Sequence, residues 1–592
     1  MINEVSRRLA QAKTVVIDVE TNGLDWRNNH IVGWVFTFGP TADDTIYLPV
    51  RHESGDNYDA NKVRDMFNSH QDVSRHWVGH NLAFDLGFIH KECEPINGTF
   101  EDTMINACLL NEFESSYSLE NCAIRADVQA KKGDEVYAHI AQLFGGEATK
   151  NRMADFWRLS ADDRIANDYA MGDGTSTWQL WEAQQRLLDM QDLRDVWNVE
   201  CKLIPVLNRM TMRGIRIHEG RLHKLKEIME RGYKAAQEAI GEEVNPRSSK
   251  QMVDFFTRHG QTDWPTTEKG NPSFTEEWLL THEIGRKFVN ARKYSTLLNS
   301  FINPMIERHL HHGRVHPQFN QLKSDDYGTV TGRLSSSNPN VQQVPKRNVE
   351  LGVLFRSIFI PDTGMVWGSA DYSQCEPRLL AHYSDCKVLT EGYTQHPPVD
   401  AHTAVANAAG IDRQSGKRLN QALLTGAGIK KATAMLGKPP AEAEAIVRNY
   451  FKAMPEIRDL QRQAADVMKQ RGYVRSILGR RARLEASGYE YKAVNRLLQC
   501  SNADMIKSSM VKIDDFCNTM GGIDMLNNVH DSIDFQYVPD RADAYKEALK
   551  IMCDFPQIKI PIEVDDDTGD SWSEASYGEE TYTKIMKEKG LD

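Results

Sequence analysis

No single hydrophobic core can serve a chain of 592 residues, because cores stop growing near ~250–300 residues and longer chains divide into domains. The division shows as a change of character along the sequence. The first stretch alternates strands and helices: Thr14-Val15-Val16-Ile17-Asp18 is a short apolar strand, and His30 to Phe38 is another. From about Asp192 to Leu310 the pattern becomes helical, with long amphipathic segments such as Gly220 to Ile240. The Gly/Pro/Ser/Asn-rich segment Thr331 to Asn340 interrupts it, and strand-like Met365 to Ala370 follows. A helical block then runs to about Arg471, and a β-rich region centres on Asn528 to Val538. The order predicts one α/β domain followed by a larger α+β domain, with no repeat architecture.

Composition removes several classes. No apolar run approaches the ~20 residues of a membrane span, and the N-terminus MINEVSRRLAQAK has no signal-peptide core, so the expected compartment is the cytoplasm. Nine cysteines without a C-x-x-C pair suggest neither a disulfide framework nor a zinc site. A net charge of −12 argues against a general nucleic-acid binder. That argument is weak, because phosphate binding depends on where positive charges sit. Lys346-Arg347, Lys417-Arg418, Lys430-Lys431 and Arg480-Arg481-Ala482-Arg483 are the basic clusters, and each alone reads as a solvated face.

In the first domain, Asp18 and Glu20 end a strand and point to the same side of it. Two carboxylates so placed repel unless a divalent cation lies between them. Asn81-x3-Asp85 follows a short strand and looks like a helix start, and Tyr169-x3-Asp173 puts a phenol and a carboxylate on one helical face. Four acids from three segments, with a tyrosine, can assemble a two-metal site for phosphodiester cleavage. The order D-x-E, N-x3-D, Y-x3-D resembles the DEDD exonucleases with a tyrosine, which have an RNase H-like fold, and Asp102-Thr103 looks like part of the same pattern. The resemblance implies that Asp18, Glu20, Asp85 and Asp173 are metal ligands and that Tyr169 positions the attacking water. Asn81 it leaves as a loop-shaping residue.

The second domain carries a denser signal. Asp371 ends an apolar strand in Ser369-Ala370-Asp371-Tyr372-Ser373-Gln374-Cys375-Glu376-Pro377-Arg378, and Asp531 sits in a strand-turn-strand setting, Asn528-Val529-His530-Asp531-Ser532-Ile533. Two aspartates mean little among 83 acids. Between them, however, Arg413, Lys417, Gln421 and Thr425 recur every four residues, which keeps them on one helical face. Arg and Lys one turn apart can grip a triphosphate whose metal ions two aspartates hold.

These segments resemble motifs A, B and C of family-A DNA polymerases of the bacterial DNA polymerase I type. The connecting pieces match in order: Thr331-Gly332-Arg333-Leu334-Ser335-Ser336 with Pro339 to Pro345, Asp400-Ala401-His402, Gly472-Tyr473-Val474 with Gly479-Arg480-Arg481, and Asn495-x3-Gln499. Ser248-Ser249-Lys250-Gln251 looks like the loop of the thumb that meets the DNA backbone. The resemblance implies an RNase H-like exonuclease over 1–190, a thumb and the start of the polymerase region over 191–330, palm over 331–390, fingers over 391–494, and palm again over 495–592. It makes Asp371 and Asp531 ligands of two Mg²⁺ ions, with Mn²⁺ a substitute. Arg413 and Lys417 would bind the incoming phosphates, Glu376 would exclude a ribose 2′-OH, and His530 would support the primer terminus. Arg333, Asn495, Gln499 and Lys250 would touch the primer-template. His402 is left open between the triphosphate and a structural role.

Motif B departs from the family pattern: Gln421 stands where an aromatic is usual, and Thr425 where a tyrosine is usual. Cys375, Pro377 and Ser532 also depart. Lineage drift and selection of an altered nucleotide, such as 2-aminoadenine in place of adenine, both account for this. Asp18 lies too near the N-terminus for a preceding 5′ nuclease, so the resemblance points to a phage replicative enzyme acting on primer-template DNA and dNTPs, with a helicase, primase or processivity factor as potential partners. The alternative is an exonuclease whose polymerase-like half is a non-catalytic primer-template clamp.

Overall fold

The computed structural model describes residues 1–130, 133–267, 269–424 and 435–591, with the side chains of 421, 423 and 424 outside the description. The first domain is built on a five-stranded sheet of β1 (Thr14–Thr21), β2 (Ile31–Thr37), β3 (Thr45–Pro49), β4 (His76–Gly79) and β5 (Thr99–Asp102), in the order β3-β2-β1-β4-β5. β1 runs parallel to β4 and antiparallel to β2. Val15, Val16 and Ile17 are all buried because both faces of β1 are covered, so this strand reads as a continuous apolar run. Helix α1 (Leu82–Glu92) follows β4 directly, and α2 (Arg164–Met190) starts from Asp163, whose carboxylate accepts the Ala166 N–H at 3.0 Å.

Residues 191–193 alone separate α2 from α3 (Arg194–Arg213). Beyond it, α4 (Glu219–Ile240) and α5 (Glu283–Leu297) form an extended helical arm with its own small core, in which Phe255, Phe256, Phe288 and Trp278 pack edge to face. Ser248 caps the helix Ser249–Arg258, so the segment expected as a loop around Lys250 is a helix start.

The second domain centres on a four-stranded antiparallel sheet. Its strands are β6 (Val366–Tyr372), β7 (Ile523–Val529), β8 (Ser532–Tyr537) and β9 (Val564–Gly569), ordered β7-β8-β6-β9. The 28-residue α10 (Ala493–Met520) lies against β7; α6 (Cys375–Ser384) and α9 (Pro455–Arg471) pack on α10, and α7 (Ala401–Ala409) packs on α8 (Arg413–Leu424), which also meets α6. α10 is buried on nearly all sides, the pattern of a helix inside a large core.

One buried cluster corrects the sequence reading. Arg480, expected on a solvated face, lies in the interior: its Nε donates to Asp504 at 2.8 Å, and it also pairs with Glu200 of α3. Lys507 donates to both oxygens of Glu200 at 2.8 and 3.0 Å and to the Gln321 carbonyl at 2.7 Å. Arg483 leaves the surface too, pairing with Glu112 of the first domain at 2.6 Å. Arg475 reaches Asp192 at 2.6 Å across the same seam. Lys430 and Lys431 lie outside the described residues.

Candidate active sites

In the first domain, β1 carries Asp18 and Glu20 two residues apart, opposite Val35 and Gly33 of β2, and the register slips immediately after Glu20. α2 brings Asp173 alongside. The carboxylate oxygens of Asp18, Glu20 and Asp173 come within 4.8 Å of one another. Three carboxylates at this spacing are hard oxygen donors that fit Mg²⁺ or Mn²⁺.

Asp85, the fourth expected ligand, lies outside that trio. It is buried and accepts the Val19 N–H at 2.9 Å. Burial first, and then the charge of Asp18, hold its carboxyl well above the usual range. Asn81 shapes the turn, as read: it takes the left-handed conformation (φ 62°) that lets α1 begin at once after β4. Asp102 fastens this turn, accepting the N–H groups of Asn81 and Leu82 at 3.0 and 2.8 Å and capping the next helix through Met104. Its burial pushes its carboxyl up to about 6. Tyr169 lies one helical turn before Asp173, its ring against Phe156 at 5.8 Å.

In the second domain, Asp371 closes β6, paired across to Ser532 of β8 and Asp565 of β9. Asp531 occupies the β7–β8 turn, where His530 is left-handed (φ 61°), and the Asp531 carbonyl accepts the Tyr372 N–H at 3.2 Å. The β7–β8 turn and the end of the neighbouring β6 thus bring the two aspartates to one end of the sheet. Burial, then the charge of Asp531, raises the Asp371 carboxyl to about 6. Beneath them Asp534, overlooked in the sequence, is fully buried on β8 and accepts from Ser369 Oγ (2.8 Å), Trp367 Nε1 (3.3 Å) and Asn527 Nδ2 (3.1 Å). It fastens β6, β7 and β8 together beneath Asp371 and Asp531. The signal available for it was an acid placed between the apolar Ile533 and Phe535 of a central strand.

Arg333 and Glu376, expected to touch primer-template and sugar, are brought together as an ion pair at 2.6 Å. α8 displays Arg413 and Lys417 on its exposed side, and Arg413 is paired with Asp400 at 3.3 Å. His402 sits half-buried behind them, its Nδ1 3.2 Å from Asn420 Nδ2. Its imidazole is held below the ordinary range by burial, while Asp400 pulls the other way and Arg413 and Lys417 add to the lowering. Asn495 and Gln499 share one face of α10. Gln421 lies on α8 without a described side chain, and Thr425 lies outside the described residues.

Comparison with known proteins fits this pair of sites. Residues 1–188 match the family model for 3′-5′ exonuclease, and residues 218–574 that for DNA polymerase family A. The chain is 30% identical over 617 residues to the DNA polymerase DpoZ of Salmonella phage PMBT28, covering 94% of this chain and 96% of that one. It is 30% identical over 648 residues to the DNA-directed DNA polymerase of Pseudomonas phage M6, with 95% and 94% covered. DNA polymerase I of Rhizobium leguminosarum is 28% identical over 633 residues, which span 96% of this chain and 60% of that one. Among solved structures, the POL domain of Pol1 from M. smegmatis, in complex with DNA primer-template and dNTP, superposes with a TM-score of 0.79 at 21% identity over 97% of this chain and 98% of that one, a likeness of fold. With a family match over more than half its length and an exonuclease domain ahead of it, the chain belongs to DNA polymerase family A.

Proposed function

We propose that the chain extends a primer 3′-OH with deoxynucleotides at Asp371 and Asp531, and removes misplaced ends at Asp18, Glu20, Asp85 and Asp173. The observation that carries this reading is the presence of two separate carboxylate sets, one where β1 meets α2 and one where β6 meets the β7–β8 turn. The proposed division is exonuclease over 1–190, thumb over 191–330, palm over 331–390 and 495–592, and fingers over 391–494.

Divalent cations, when bound, supply charge neutralisation and an activated oxygen nucleophile at each site. The chain's own residues do the rest. Asp371 and Asp531 fix the position of positive charge at the end of the sheet. Arg413 and Lys417 hold the triphosphate from α8, and Arg413 must first leave Asp400. Glu376 closes the space beside the sugar 2′ carbon once Arg333 turns from it to the primer-template minor groove, where acceptors are shared by all correct pairs. In the first domain, Tyr169 orients the water that attacks the terminal phosphodiester.

Extension and shortening of a labelled primer with Mg²⁺ tests this. Asp371→Ala should only degrade, and Asp18→Ala should only extend. A wild-type enzyme that shortens but never extends would instead make the second domain a primer-template clamp. Lineage drift accounts for Gln421 and Thr425, and the sharper reading of the same two departures is a pocket of altered nucleotide selectivity, with 2-aminoadenine opposite thymine as the candidate. Equal steady-state incorporation of dATP and its 2-amino analogue would end that idea.

A further inference from the structure

Lys346 belongs to the basic pair that the proposed reaction leaves without a role. The segment that carries it is tied at two points, through the Gln342 side chain and through the Lys346 carbonyl. Gln342 Nε2 donates to the Asn528 carbonyl at 3.0 Å just before the β7–β8 turn, and Tyr577 OH donates to the Lys346 carbonyl at 2.9 Å. The side chain is free by contrast: it is 63% exposed, yet its Nζ lies 3.6 Å from Asp371 Oδ2.

An exposed ion pair with a single long contact contributes little to stability, so it gives way easily. The lysine is thus an anchored base with a loosely held head. An ammonium is a compact point charge with three donors on a flexible stem, as able to meet phosphate oxygens as a carboxylate. A cation held by Asp371 and an ammonium held by Asp371 compete for the same oxygen. When the first arrives, the second is expelled toward the space above the end of the sheet, where a triphosphate would lie.

We propose that Lys346 is a positioning residue for the incoming nucleotide: it neutralises Asp371 in the metal-free site and turns to the triphosphate once divalent cations displace it. This rests on the reading of Asp371 and Asp531 as the cation-holding pair.

Two equilibrium measurements test it, both in an Asp18→Ala, Asp173→Ala background so that only the second domain's site is read. Mn²⁺ binding followed by electron paramagnetic resonance, without DNA, should tighten about threefold to tenfold in Lys346→Ala, because a competing charge is gone. Binding of a correct dNTP to the complex with a 3′-dideoxy-terminated primer should weaken by a similar factor, and Lys346→Arg should restore it. Opposite shifts of metal and nucleotide affinity are not what a merely structural lysine would give. Unchanged affinity in either measurement overturns the proposal. Mn²⁺ binding that survives Asp371→Ala would instead sink the cation-site reading, and the role of Lys346 with it.

Discussion

At the scale of the residue, Asp371 is held against its own preference. Its carboxyl titrates at about 6, raised by burial and by Asp531. A carboxyl whose folded pKa exceeds its unfolded value of ~3.9 binds more protons folded than unfolded between those limits. Its contribution to stability therefore declines as pH rises from about 4 through about 6. The unscreened cost would be about 3 kcal/mol, but the side chain is 42% exposed, and solvent reduces this to about 1 kcal/mol. Asp371→Asn should accordingly raise the melting temperature of the EDTA-treated enzyme by about 1 °C at pH 7.5. The gain should shrink toward pH 4 and narrow when Mg²⁺ is added. A variant less stable than wild type at pH 7.5 in EDTA would contradict this account, in which the site gives up stability for charge.

At the scale of the element, α10 does two jobs. One face presents Asn495 and Gln499, and deeper along the helix Asp504 and Lys507 enter the charged cluster with Glu200 and Arg480. Removing one member of a buried ionic cluster strands the others, at a cost of about 3–5 kcal/mol. Glu200→Ala should lose that much in urea unfolding of the second domain, whereas an exposed pair such as Glu444 with Arg448 should lose less than about 1 kcal/mol. The contrast explains what could be read from sequence. Asp18, Glu20 and Asp371 were legible because each lies at the end of a local apolar strand, and Asp531 because its turn lies between two strand-like runs. Asp173 and Lys417 were legible from four-residue spacing on a helix. Glu200 and Arg480 meet across 280 residues, and Glu200 and Lys507 across 307, so no local pattern announces them. Lys507 alone left a trace, on an apolar face between Ala503 and Met510. The Arg333–Glu376 pair was out of reach for a related reason: each residue was read toward a substrate, and the fold turned them toward each other.

At the scale of the whole molecule, the two catalytic halves share a polar seam. Arg483 meets Glu112, Arg475 meets Asp192, and Ser116 Oγ donates to Asp325 at 2.8 Å. Among the described residues no helix is long and apolar enough to cross a membrane. Glu112→Ala should leave primer extension intact while speeding hydrogen exchange in residues 108–118 and 481–485, because Arg483 loses its buried partner. Unchanged exchange there would mean that the seam is held elsewhere. The short joint between α2 and α3 has a further consequence. Its central residue, Asp192, is left-handed (φ 53°), and Arg475 donates to its carboxylate and to the Gln191 carbonyl, so the turn between the halves is met from the second domain by one arginine. That arginine therefore reads the geometry of the three-residue turn that joins the two domains, and Arg475→Ala frees that turn without touching either carboxylate set.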